Sequence, residues 1–182
     1  MALGAAWATP AVLLAAAAPT YAASASCPNL DPMTAAYWKL SSSGTASTGG
    51  IGFQTDQGTG VKVNADPPQD GSTYTGTATQ KQSILLTAGV TYTFTAGWYI
   101  RTINPAPMTG QILIDGVNPV PTSVLSTATS GLTDKSTGTF SVSYTPTTTG
   151  PVILSLQASI TRTESSAIGD DIWWTGISIS CG

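Results

Sequence analysis

Thr91-Tyr92-Thr93-Phe94-Thr95-Ala96-Gly97-Trp98-Tyr99-Ile100-Arg101 is the stretch that decides the fold. Tyr92, Phe94, Ala96, Trp98 and Ile100 share one face of an extended chain. Thr91, Thr93, Thr95, Tyr99 and Arg101 share the other. Side chains alternate with period two only in a strand, so this is a half-buried strand with an aromatic inner face. Ser83-Ile84-Leu85 reads as the strand before it, and Leu86-Thr87-Ala88-Gly89-Val90 as the turn between them.

The same period recurs outward along the chain. Gln111-Ile112-Leu113-Ile114 is a strand closed by Asp115-Gly116, a hairpin turn pair. Thr139 to Tyr144 alternates and stops before Pro146. Pro151 to Ile160 alternates again, with Val152, Leu154, Leu156, Ala158 and Ile160 inward. Ile172-Trp173-Trp174-Thr175 and Ile177-Ser178-Ile179 make the last strand, and Gly176 between them marks a bulge. Gly50 to Phe53 and Val61-Lys62-Val63 are short strands. Ser41 to Gly50, Asn64 to Ser72 and Asn118 to Gly138 read as loops. No window of useful length holds a helical apolar period free of Gly, Pro or Thr clusters. The expectation is an all-β antiparallel sandwich of the jelly-roll type, with about eight strands.

Residues 1–25 carry no charged side chain, and Ala11 to Ala18 forms a short apolar core bracketed by Pro10 and Pro19. Ala23-Ser24-Ala25 supplies the small residues that a signal peptidase accepts. The apolar run falls short of the roughly 20 residues a membrane span needs. Residues 1–25 are therefore read as a signal peptide and 26–182 as one secreted, extracellular domain without a transmembrane segment. The basic start of a signal peptide is missing. The stretch from Gly4 to Ser24 resembles the later part of actinobacterial twin-arginine export signals, which implies a start upstream of Met1. Cys27 and Cys181, alone in an exported chain, are expected to pair and to close the domain end to end. A loop that long gains at most roughly 5 kcal/mol from chain entropy.

Charged residues are 8% of the chain, the net charge is −3, and six Lys and Arg are scattered along it. This composition disfavours nucleic acid and anionic membrane surfaces as partners. Histidine is absent, which removes the commonest general base. Glu164 is the sole glutamate, and neighbours Asp170 and Asp171 point to opposite faces of a strand, so no carboxylate dyad forms unaided. No nucleophile elbow or phosphate-binding loop is present. The chain reads as no enzyme.

The order of features resembles the galactose-binding-like jelly rolls, carbohydrate-binding modules in particular. Asn29-Leu30-Asp31 with Trp38 stands at the opening. Gln80 to Leu86 followed by Ala88 to Phe94 forms the centre. Tyr144-Thr145-Pro146 with Gly150 comes late, and Asp170-Asp171-Ile172 closes. The resemblance spans nearly all of residues 26–182, but the opening lacks the family's aromatic-acidic pair. It implies a structural Ca2+ held by Asp171 together with Asp31, since calcium takes six to eight oxygens. The competing reading makes Asp170-Asp171 a solvated turn.

Tyr99 and Trp173 are expected to face outward by alternation, and such rings stack on the apolar faces of sugars. Arg101 on the same face and Gln157 on a later strand would supply hydrogen bonds. Trp38, Trp98 and Trp174 are assigned to the core. The covered alternative stands for Tyr99 and Trp173 as well, because most tryptophans are largely buried. The functional expectation is a glycan-binding domain gripping a cell-wall or environmental polymer. A structural or adhesive surface protein with Thr- and Ser-rich outer faces is the alternative.

Overall fold

The computed structural model describes residues 27–68, 71–102, 107–120, 124–127, 132–162 and 171–182. The signal-peptide reading, Glu164 and Asp170 lie outside them. The described residues hold twelve strands: β1 (Trp38–Ser43), β2 (Thr48–Gln54), β3 (Gly60–Asp66), β4 (Thr73–Gln80), β5 (Ile84–Leu86), β6 (Tyr92–Arg101), β7 (Met108–Ile114), β8 (Leu125–Ser126), β9 (Thr137–Tyr144), β10 (Gly150–Val152), β11 (Leu154–Thr161) and β12 (Asp171–Cys181). They form two five-stranded sheets. The first runs β1-β4-β11-β7-β8 and the second β2-β3-β12-β6-β9, with β10 and β5 as a separate ribbon. Every strand pair is antiparallel. The inner faces meet in one apolar core, giving the expected β-sandwich.

The deciding stretch behaves as read. Tyr92, Phe94, Ala96, Trp98 and Ile100 of β6 are buried, and the alternate residues are partly or fully exposed. Trp38 and Trp174 are fully buried, and Trp98 is 7% exposed, so all three belong to the core. Burying each such ring is worth roughly 2 kcal/mol or more of transfer free energy.

Room for Trp174 comes from the opposite sheet. Gly76, Ala158 and Gly110 are register neighbours across β4, β11 and β7, forming a trough of small residues. A Cβ on Gly110 would lie 2.8 Å from the Trp174 ring, and one on Gly76 would lie 2.7 Å from Val63. The large side chains of the second sheet sit in that trough, so close packing dictates glycine there.

The details of the ends differ from expectation in instructive ways. Ser41–Ser43 belong to β1 and Thr48–Gly50 to β2, because both segments find strand partners despite their small, polar composition. β4 has an alternating pattern whose inner positions include Gly76 and Ala78, too small to read as a core face. The run from Pro151 to Ile160 is two strands. Val152 pairs with Ile84 in the ribbon, whereas Leu154 pairs with Ile114 in the first sheet. Asp115 drives that break: its Oδ1 accepts the Ile153 N–H at 2.7 Å, and its own N–H donates to the Ile153 carbonyl at 2.8 Å. Asp115 and Gly116 adopt φ of 50° and 78°, the conformation of a type I′ hairpin turn. Gly176, at φ 143°, sits at a register shift following Trp174, the bulge expected there. Cys27 and Cys181 are bonded, with Cα atoms 5.6 Å apart, tying the N-terminal segment to the end of β12.

Candidate ligand-binding face

Ile172 and Trp174 enter the core, so Asp171 and Trp173 point away from it. Trp173 lies opposite Lys62 of β3 and Tyr99 of β6, and Asp171 lies opposite Asn64 and Arg101. The outer face of the second sheet therefore carries a cluster drawn from three adjacent strands. The Tyr99 and Trp173 rings meet edge to face, 4.9 Å between centroids and 76° between planes. That is a favoured aromatic geometry. The Lys62 ammonium stands 4.5 Å from the Trp173 ring centre and 3.0 Å from Asp171 Oδ2. The Trp173 indole N–H donates to Asp56 Oδ1 at 3.3 Å.

Trp173 thus faces outward, yet it is only 3% exposed. Lys62, Tyr99 and Asp56 wall the ring in, so it is no open stacking platform; it is the base on which Tyr99 rests. Tyr99 is half-buried and Arg101 is exposed two residues further along the same face. Gly52 is the register partner of Lys62 on β2, and a Cβ there would meet only Gln54 Nε2, at 3.8 Å. The face beside Lys62 consequently stays low and open.

Gln157 is elsewhere. Its neighbours Leu156 and Ala158 are core residues of β11, so Gln157 faces out of the first sheet, on the far side of the sandwich. Its Oε1 accepts from Gln111 Nε2 at 2.6 Å, and its Nε2 donates to Thr77 Oγ1 at 3.3 Å. Asn118 Nδ2 in turn donates to Gln111 Oε1 at 3.2 Å. Hydroxyl pairs flank this amide chain: Thr75 with Ser159, Thr79 with Ser155, Thr73 with Thr161. The fold brings Tyr99, Arg101 and Trp173 together and places Gln157 apart from them. Sequence reasoning missed Lys62 and Asp56. The alternation Val61-Lys62-Val63 was the available sign for Lys62, since a lysine between two core valines must lie on the outer face.

The paired calcium ligands do not assemble. Asp31 lies four residues from Cys27, which is bonded to Cys181 at one end of β12; Asp171 begins the other end. Ten residues of strand span about 33 Å, against at most about 14 Å of chain from Cys27 to Asp31. Asp31 instead accepts Gln80 Nε2 at 3.3 Å and gives its backbone carbonyl to the Trp38 indole, while Asp171 faces the Lys62 ammonium. A cation beside Asp171 would meet that positive charge at contact distance. Among the described residues no three His, Cys, Asp or Glu side chains converge on a metal position. Asp31 and Asp171 therefore do not share a calcium site.

No family model matches the sequence, and no curated relative does. Solved structures resemble it in shape. One is the enzymatically active domain of bacteriophage CBA120 tailspike protein 4, with TM-score 0.45 and 12% identity over 81% of this chain and 20% of that one. Another is the Clostridium thermocellum endo-1,4-β-D-xylanase 10B, comprising CBM22-1 and GH10 modules complexed with xylohexaose, with TM-score 0.44 and 13% identity over 83% and 28%. A CBM4 structure gives TM-score 0.41 and 17% identity over 80% and 86%. The chain spans less than a third of the first two. Likenesses this distant carry no functional argument.

Proposed function

We propose that this chain is a secreted, non-catalytic domain that binds carbohydrate on the outer face of its second sheet. The observation that carries the reading is the partly exposed Tyr99 ring, held edge-on by Trp173, with exposed Arg101 two residues further along the same face of the strand. A sugar ring offers an apolar face of C–H groups to an aromatic ring and hydroxyls to a fork of N–H donors. In this reading Tyr99 and Arg101 touch the glycan. Trp173, with Lys62 and Asp171, holds Tyr99 in place, which lowers the ordering cost of binding. Gln157 would serve a ligand only on the opposite face.

The test is depletion of the oxidised protein from solution by a panel of insoluble polysaccharides and cell-wall preparations. The expected result is depletion by one or a few glycans, weakened at least tenfold in Tyr99→Ala and several-fold in Arg101→Ala, with folding unchanged by circular dichroism. Depletion that both variants retain in full sinks the assignment of this face. The Thr and Ser pairs on both outer faces, such as Thr95 with Ser141 at 2.8 Å, favour a second reading as a structural surface protein. Absence of depletion by every glycan would select it.

A further inference from the structure

A cleft of about 260 Å³ opens beside the β2–β3 hairpin, lined by Met33, Thr34 and Ala35 on one side and Phe53, Gln54, Thr55, Thr59 and Gly60 on the other. We propose that it is a second binding site, for a single neutral sugar ring; its ligand class rests on the carbohydrate reading above.

The lining sets the ligand chemistry. Met33, Ala35 and Phe53 are its apolar lining residues, while Thr34, Gln54, Thr55 and Thr59 are residues with three hydroxyls and one amide between them. None of the lining residues carries a charged side chain, which favours a neutral ligand. An apolar surface ringed by neutral donor-acceptor groups suits a pyranose, which has the same two-sided chemistry. A volume of about 260 Å³ has room for one sugar ring.

Both walls are tied down. The turn Thr34–Trp38 closes on the Thr34 carbonyl, which accepts the Tyr37 and Trp38 N–H groups at 3.1 and 2.9 Å. Lys81 Nζ donates to the Ala35 carbonyl at 2.7 Å, and the Lys81 N–H to the Tyr37 carbonyl at 2.8 Å. Trp38 and Gln80 hold Asp31 just upstream, and the Cys27 disulfide anchors the segment's origin. Opposite, Gly60 abuts the Trp174 carbonyl so closely that no Cβ fits, and Gly58 N–H closes the hairpin on the Thr55 carbonyl at 3.3 Å. The anchoring of residues 31–38, which the sheet-face site does not need, is thereby explained as the construction of a rigid wall.

The experiment titrates the isotopically labelled, oxidised full chain with free glucose, galactose and xylose, and follows backbone amides by NMR. Saturable shifts confined to residues 33–35 and 53–60 are expected with at least one sugar. They should persist in Tyr99→Ala, vanish in Thr55→Trp, which fills the cleft from its exposed hairpin side, and weaken at least fivefold in Gln54→Ala. Absence of saturable shifts with all three sugars overturns the proposal, as do shifts that survive Thr55→Trp or that centre on Tyr99 and Arg101. Polysaccharide depletion without cleft shifts removes this site alone. Cleft shifts without depletion remove the sheet-face reading and leave this site standing.

Discussion

The two outer faces of the sandwich are built from different chemistry, although both cover the same core. The first sheet shows paired hydroxyls and an amide chain, Asn118 to Gln111 to Gln157 to Thr77, each group satisfied by a neighbour on the same surface. The second sheet, toward the Asp171 end of β12, shows an aromatic pair, a cation over a ring and a half-sheltered ion pair. Neutral hydrogen bonds at a wet surface contribute modestly, because water replaces what is lost. A ring and a charge pair removed from water are expensive to disrupt, because nothing replaces their partners. Polar residues are abundant on both faces. Among the described strand residues, large aromatic side chains lie outside the core on the second sheet alone, and that is where we propose the binding function.

Substitutions can break this contrast. The largest effect is expected from Trp173→Ala, which empties a site that is 3% exposed: about 3 kcal/mol of stability, read by denaturant unfolding. A loss below about 1 kcal/mol would put the ring in the same class as the surface residues of the first sheet. Next comes Lys62→Met, which takes the ammonium away from the 6%-exposed Asp171 side chain: about 2 kcal/mol, largely recovered in the double variant Lys62→Met, Asp171→Asn. Absence of recovery in the double-mutant cycle would show that the pair is not coupled.

Gln157→Ala removes the middle of the amide chain and should cost about 1 kcal/mol, with polysaccharide binding unchanged. Lost binding in that variant would move the site to the other side of the sandwich. Thr95→Val, at an exposed hydroxyl pair with Ser141, should change the unfolding midpoint least, within about 0.5 kcal/mol. The order of the four sharpens the comparison as much as any single value.

What could be read from the residues follows the same divide. β6 was legible because five large residues alternate with polar ones, and the Asp115-Gly116 turn and Gly176 bulge because their backbone demands particular residues. β4 was not, because its inner face includes Gly76 and Ala78, small to accommodate Val63 and its neighbours on the opposite sheet. That need arises only when the sheets meet, so no local pattern announces it. The outward direction of Trp173 was legible from alternation. Its burial was legible as the covered alternative, but not the residues that cover it, since Lys62 and Asp56 come from β3 and the β2–β3 hairpin, more than a hundred residues earlier in the chain. Gln157 shows the converse limit: alternation says that a residue leaves the core, and not which side of a sandwich it leaves by. The calcium pair of Asp31 and Asp171 failed for a related reason, because the chain's two ends meet at Cys181 while Asp171 opens the same strand at its far end.

The Cys27–Cys181 bond has a mechanical consequence. Its sulfurs bridge residues 154 positions apart. Tension entering ahead of Cys27 and leaving beyond Cys181 runs through a single covalent link, so the strands between them lie outside the load path. Pulled in this way, the sheets of the oxidised domain would not bear force until that link was reduced.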